Sequence, residues 1–260
     1  MALDSHMHIN KLILEEPQKY IDYINKDPSI ESVINVGLNI ETSKDSVLIS
    51  KKNQKFYSTI GIHPLYIESQ NVNDLYNLAQ NDKVVAIGEI GLDSTHQNFY
   101  EQKQYLIKQI IIANELNLPV VIHSNNTNKL IIDIFEKFVK PKYGCVFHCF
   151  QPDIDILKYL TDNNYYISFA GRITYKTAKK SIEIAKIVSD DLFLVETDSP
   201  YISPEPSRNE INKSANIHFI INKLAEIKEM SYKEIENLTS QNAKRLFKRM
   251  KWIASFLPKM

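Results

Sequence analysis

Six short apolar runs in this sequence end on side chains that can hold a metal ion or move a proton. They carry His6 and His8 in LDSHMHI, His63 in GIHP, Glu89 in GEIGLD, His123 in IHS, His148 in HCF and Asp198 in ETDSP. Five of the seven histidines stand at these strand ends; His96 and His218 do not. A polar group buried at the end of a Val/Ile run is costly unless something pairs with it. One such residue is ordinarily a satisfied core group. Six strand ends of this kind point to a shared partner, and a dinuclear metal centre is such a partner. His6 and His8 lie two apart, so on a strand both point to one face. Gly88 and Gly91 flank Glu89 and are expected to let backbone and metal come close. A carboxylate can bridge two divalent ions while imidazoles complete each shell. Asp198 could bind an ion and also receive the proton of an attacking water.

The elements that must position these residues alternate. Apolar runs at 2–9, 32–38, 56–63, 84–92, 119–124, 145–150, 165–171 and 192–198 are nearly continuous, as strands buried on both faces should be. Between and after them lie helical patterns, at 98–117, 153–164, 174–189, 216–229 and 231–250 among others. The first has apolar positions at Phe99, Leu106, Ile110, Ala113 and Leu116 and is closed by Pro119. Ser231 and Glu234 form a capping-box start for the last. Eight strand–helix units in 260 residues are about 32 residues each, the length of a βαβ repeat. The count favours one TIM-type (β/α)8 barrel over a doubly wound open sheet. It is read as an α/β fold of one domain over 1–260, with extra C-terminal helices. Chemistry in such a barrel sits at the carboxyl ends of the strands, where these polar residues stand.

Composition narrows the setting. Lysine plus arginine equals aspartate plus glutamate at 31 each, so no overall charge advertises a polyanionic partner. Neutrality still admits nucleic acid, because a small site can hold phosphate through metals. No basic and apolar leader is visible, and no apolar run reaches the roughly 18 residues that span a bilayer. Cys145 and Cys149, if on one straight strand, would stand about 13 Å apart. A disulfide needs Cα atoms within about 7 Å. They read as core thiols, and a reducing, cytoplasmic location is expected.

Taken in order, HxH, GIHP, GEIGLD, IHS, HCF and ETDSPY resemble the TatD family of metal-dependent deoxyribonucleases, within the amidohydrolase-like hydrolases. The resemblance runs from Asp4 to about Phe247. It implies a TIM-type barrel with two divalent ions, Mg²⁺, Mn²⁺ or Zn²⁺. His6, His8, Glu89 and Asp198 would hold one ion and Glu89, His123 and His148 the other, with Glu89 as the bridge. His63 would lie near the scissile phosphate and Asp93 would orient a ligand. Glu89 and Asp198 would be the catalytic pair. The implied activity is hydrolysis of DNA phosphodiesters by a metal-activated water, from a 3′ end. DNA is then the partner, held mainly through phosphate–metal contacts, with no membrane and no obligate protein partner.

Some positions depart from the family pattern. Asn125 follows HS where arginine is frequent. Gln151 and Pro152 follow HCF where a Ser-Gly pair is frequent. Arg208 and Asn212 are kept after SPY, but Lys213-Ser214 replaces Glu-Pro. These residues would shape the substrate cleft, so they leave open an esterase or amidase of the same superfamily, such as a D-aminoacyl-tRNA deacylase. A barrel without chemistry would show broken ligands, and none is broken. Tyr201, Arg208 and Arg172, the last with Tyr175 and Lys176, are candidates for substrate contact by position. The basic then apolar stretch at 244–260, with the sole tryptophan Trp252, is expected to pack on the outer helices. Removal of the first eight residues should take away the first strand and half of one ion's shell.

Overall fold

A strand with no solvent face reads as unbroken hydrophobic sequence, and all eight such runs form parallel strands. A computed structural model describes residues 1–9, 15–96 and 98–250. The strands are β1 (Ala2–Met7), β2 (Ile30–Val36), β3 (Phe56–Ile60), β4 (Val84–Asp93), β5 (Val120–Asn125), β6 (Cys145–Phe147), β7 (Tyr166–Phe169) and β8 (Phe193–Val195), paired in sequence order. The helices are α1 (Pro17–Lys26), α2 (Ile40–Lys52), α3 (Asp74–Leu78), α4 (Phe99–Glu115), α5 (Asn128–Lys137), α6 (Ile154–Asp162), α7 (Lys179–Ile187), α8 (Ile217–Lys228) and α9 (Tyr232–Leu246). This is the TIM-type (β/α)8 barrel, nearly closed.

Two apolar cores hold it. The larger lies between strands and helices and includes Ile87, Leu106, Ile110 and Phe135. The smaller fills the barrel near the amino-terminal ends of the strands, with Leu3, Ile34, Tyr57, Val85, Val121, Val146 and Leu194. Leu246 from the end of α9, with Phe247 and Met250 beyond it, packs into this second cluster and seals the floor. The opposite, carboxyl-terminal end is thereby left for polar side chains.

Among the described residues no ladder joins β8 to β1. Among the described residues, Met7 and Ser199 form an isolated bridge at this seam. The Asp198 amide donates to the His6 carbonyl at 2.9 Å and the His8 amide to the Ser199 carbonyl at 2.7 Å. Ser5 Oγ donates to the Val195 carbonyl at 2.8 Å. The buried Asp4 carboxylate accepts from the Thr197 amide at 2.9 Å and its hydroxyl at 2.6 Å. Burial pushes the Asp4 carboxyl up to about 7, against the pull of its bonds to Thr197.

Some boundaries differ from the sequence expectation. The helix expected over 174–189 begins only at Lys179, after a 3-10 turn at Gly171–Thr174. Thr174 Oγ1 bonds the Gly171 carbonyl at 2.7 Å, and Tyr175 Oη bonds the Ser203 carbonyl at 2.9 Å. The first closes the turn on itself and the second ties the segment to the loop after β8, keeping it out of the helix. Phe99 is exposed, whereas Leu106, Ile110 and Ala113 are buried. β6 ends at Phe147 and Cys149 takes φ +43°, so the two cysteines do not share one straight strand; both are free thiols. The capping box of α9 forms as expected, Ser231 Oγ accepting from the Glu234 amide. Among the described residues no helix is long and apolar enough to cross a membrane. Trp252 and the rest of 251–260 lie outside the described residues.

Candidate metal centre

Six strand ends deliver their side chains to one buried cluster. His6 comes from β1, Glu89 from β4 and His123 from β5; His8, His63, His148 and Asp198 stand just beyond β1, β3, β6 and β8. Asp198 takes φ +53°, a left-handed conformation that aspartate tolerates better than most residues. The glycines beside Glu89 act differently from the expectation. A Cβ on Gly88 would lie 2.6 Å from the Val121 side chain, and one on Gly91 would collide with the His123 carbonyl oxygen. They bring β4 close to β5, so their effect on the site is to place Glu89 beside His123.

Glu89 divides its two oxygens between two groups of histidines. Oε1 lies 2.7 Å from both His123 Nδ1 and His148 Nε2. Oε2 lies 3.3 Å from His6 Nε2 and 3.8 Å from His8 Nε2. Asp198 Oδ1 lies 3.4 Å from His8 Nε2 and 3.8 Å from His6 Nε2. Ring nitrogens also face each other, His6 Nε2 and His8 Nε2 at 3.2 Å and His123 Nδ1 and His148 Nε2 at 3.4 Å. The His6 and His148 rings stack at 4.1 Å. Inward-facing imidazole nitrogens and carboxylate oxygens at this density fit a divalent cation of the N/O-binding kind. Among the described residues three overlapping groups have the spacing to hold one: His6, Glu89 and His148; His6, His8 and Asp198; and His63, Glu89 and His123. The overlap cuts across the partition implied by the resemblance, since His6 and His148 share a group.

His63 is excluded as a ligand in this conformation by its own hydrogen bond. Its Nδ1 accepts from the Leu65 amide at 3.1 Å. The neutral ring's proton must then sit on Nε2, the nitrogen 3.5 Å from Glu89 Oε1, and a protonated nitrogen cannot ligate. Burial holds this imidazole neutral, with its pKa lowered to about 4. It therefore presents an N–H donor to the cluster.

The charges follow from what each group faces. Burial alone would raise Glu89, but the charge on His148 and its bonds to His123 and His148 hold it well below the usual carboxylate range. Asp198 is likewise held low, against its burial, by His8 and His6. Burial, reinforced by His148, lowers His6. His148 is raised well above the ordinary histidine value, because Glu89 and Glu196 outweigh its burial.

The outward nitrogens are supported unequally. His123 Nε2 is 2.9 Å from Asp93 Oδ2. Asp93 in turn accepts from Thr95 and, at 3.3 Å, from Asn125 Nδ2. Gln151 Nε2 donates to Asn125 Oδ1 at 3.3 Å, so two residues that depart from the family pattern touch one another behind His123. His148 Nδ1 faces Glu196 Oε1 at 3.5 Å, too long for a full hydrogen bond. His8 Nδ1 is 3.3 Å from the Val36 carbonyl, and His6 Nδ1 is buried with no hydrogen-bond partner among the described residues.

Farther out the candidates separate. Tyr201 is 46% exposed with its ring 5.9 Å from that of His8, at the edge of the cluster. Arg208 lies over the Tyr175 ring at 4.3 Å and pairs with Glu205 at 3.8 Å, outside the cluster. Arg172 is exposed, within electrostatic reach of Cys149. Asn212 is buried and bonds the carbonyls of Thr197 and Tyr201, holding the loop after β8 in shape. His96 is exposed on the loop after Asp93, and His218 bonds the Ala215 carbonyl within its own helix turn. Sequence reasoning did not find Glu196, Asp4 or Tyr66, whose ring stands 6.0 Å from His63. The only signal for Glu196 was its place two residues before Asp198 in ETDSP.

Comparison with known proteins agrees with this geometry. The sequence profile of the family described as "TatD related DNase" matches residues 3–248. The "uncharacterized metal-dependent hydrolase YabD" of Bacillus subtilis (strain 168) is 32% identical over 253 residues, covering 95% of this chain and 99% of its own length. The "uncharacterized metal-dependent hydrolase YcfH" of Escherichia coli (strain K12) is also 32% identical, covering 94% and 95%. The crystal structure of YjjV, a TatD homologue from Escherichia coli K12, superposes with a TM-score of 0.85 at 24% identity, covering 95% of this chain and 98% of that one.

Proposed function

The chain belongs to the TatD family of metal-dependent hydrolases, and from that premise we propose that it is a deoxyribonuclease releasing nucleotides from the 3′ end of DNA. One observation carries the reading: Glu89 sends one oxygen to His123 and His148 and the other toward His6 and His8. In this reading Glu89 would serve two divalent ions, with His6, His8 and Asp198 holding one and His123 and His148 the other.

Divalent ions in such a pair supply Lewis acidity toward phosphate oxygens and lower the pKa of water. The chain's own residues do the rest. Asp198, held ionised and nearly buried, is placed to take a proton from an attacking water. His63 offers its Nε2 proton to a non-bridging phosphate oxygen, since its other nitrogen is already engaged by Leu65. Tyr201, half-exposed beside His8, offers a ring to the substrate. Arg172 and Arg208 stand farther out, where they would meet the phosphate chain away from the cut. DNA is the proposed partner.

Ester hydrolysis on a D-aminoacyl-tRNA is the second reading, favoured by the uncharged Asn125–Gln151 pair beside His123. The two are separated by assaying metal-reconstituted protein on end-labelled single-stranded DNA and on D-aminoacyl-tRNA. Nucleotide release that disappears in Glu89→Ala is expected. Efficient ester cleavage without nucleotide release would reverse the order.

A further inference from the structure

Glu196 has no part in the scheme above, yet its carboxylate is buried directly behind one of the cluster's histidines. Its Oε1 accepts from the Cys149 amide at 2.7 Å, and its Oε2 accepts from Ser168 Oγ at 2.7 Å. Both bonds fix the carboxylate in place. A carboxylate has about four acceptor sites, so capacity remains. The nearest use for it is His148 Nδ1, which is buried, has no hydrogen-bond partner among the described residues and lies 3.5 Å from Oε1.

We propose that Glu196 is a positioning residue: it accepts the Nδ1 proton of His148 and so turns Nε2 of that ring, unprotonated, toward Glu89 and the ion. The proposal rests on the reading that the cluster holds divalent ions. The arrangement on the neighbouring strand supports it. His123 turns Nδ1 to Glu89 at 2.7 Å while Asp93 takes its Nε2 at 2.9 Å. His148 turns Nε2 to the same Glu89 oxygen at 2.7 Å while Glu196 stands behind Nδ1. The two rings are used in opposite senses, each with a carboxylate at its back. A carboxylate behind a ligand histidine fixes tautomer and ring direction and raises basicity, and losing it costs about 10–100-fold in metal affinity. The backbone links explain how the pair is kept together. Glu196 holds the Cys149 amide, the next residue after His148, so ring and carboxylate move as one unit.

The test uses apoprotein titrated with Zn²⁺ by calorimetry, and ¹⁵N-resolved imidazole spectra of the Zn²⁺-loaded wild type. In the wild type His148 should be the Nδ1–H tautomer with a slowly exchanging, strongly downfield proton, and His123 the Nε2–H tautomer. Glu196→Ala should weaken one Zn²⁺-binding step by about 10–100-fold and leave the other unchanged. Glu196→Gln keeps an oxygen that can accept the Nδ1 proton, so it should retain the tautomer and recover most of the affinity. Ser168→Ala removes a bond to Glu196 without touching His148, and should change either step by less than Glu196→Ala does. An Nε2–H tautomer at His148, or wild-type Zn²⁺ affinity in folded Glu196→Ala, would overturn the proposal. The tautomer is read on the wild type, so it decides even if the alanine variant fails to fold. Wild type that binds Zn²⁺ with the expected tautomers but releases no nucleotide would sink the nuclease reading and support this one. Wild type that binds no Zn²⁺ would overturn both.

Discussion

The two halves of the cluster are built to different standards. On one side, His123 and His148 extend from β5 and β6, which belong to a continuous ladder with β4, the strand of Glu89. Each has a carboxylate behind it. On the other side, His6, His8 and Asp198 meet at the seam where β1 and β8 are joined by an isolated bridge. There, among the described residues, His8 has only a backbone carbonyl at its back and His6 Nδ1 has no partner. The same residue types can thus form a rigid, charge-supported half and a looser one within a few ångströms. The difference lies in the strand pairing and in the groups behind the ligands. We expect the β5/β6 half to bind an ion more tightly and the seam half to exchange its ion.

Glu89→Ala should erase the comparison altogether, because that residue serves both halves. Hydrolysis should fall by on the order of 10³-fold or more, and measured metal content should drop at both positions. Retention of both ions at full rate would mean that Glu89 does not bridge them. His123→Ala and His6→Ala separate the halves. In Zn²⁺ titrations of the apoprotein, His123→Ala should remove the tighter step and His6→Ala the weaker one, with wild-type steps differing by about 10–100-fold. Equal steps would dissolve the distinction. Asp4→Ala probes the seam alone. It strands the buried amide and hydroxyl of Thr197, at about 1–3 kcal/mol for each unsatisfied group, and should lower the urea midpoint while the tighter Zn²⁺ step stays put. The smallest change is expected from Asn125→Ala, which takes one bond from Asp93 two removes from the ion. It should shift the tighter step by less than about tenfold, below the range for a group bonded directly to a ligand. A larger shift would extend the rigid half outward to Gln151.

Much of this was legible in the residues. The eight strands could be read because burial on both faces leaves no polar alternation to confuse them. The cluster could be read because His, Glu and Asp at the ends of such runs have no bland explanation in common. Gly88 and Gly91 drew attention as features of the site, but their function is the approach of β4 to β5, which depends on a neighbour 30 or so residues away. Glu196 was hidden because strand spacing says that it and Asp198 share a direction, not that one would lie behind His148. The direction of a ring nitrogen is set by tertiary hydrogen bonds, as His63 shows through the amide of Leu65. The late start of α7 has the same origin, since Tyr175 is held by a carbonyl in the loop after β8.

The seam bears on when the cluster can exist during synthesis. Ser5 bonds Val195 across 190 residues, and Asp4 bonds Thr197 across 193. His6 and His8 are therefore made nearly two hundred residues before the partners that hold their strand. The floor of the barrel waits later still, for Leu246, Phe247 and Met250. The histidines are therefore made before the seam that gathers them can form, and the cluster is complete only once β8 and the residues after it are in place. A fragment that stops before residue 193 has made five of the six contributing strand ends and has no closed site.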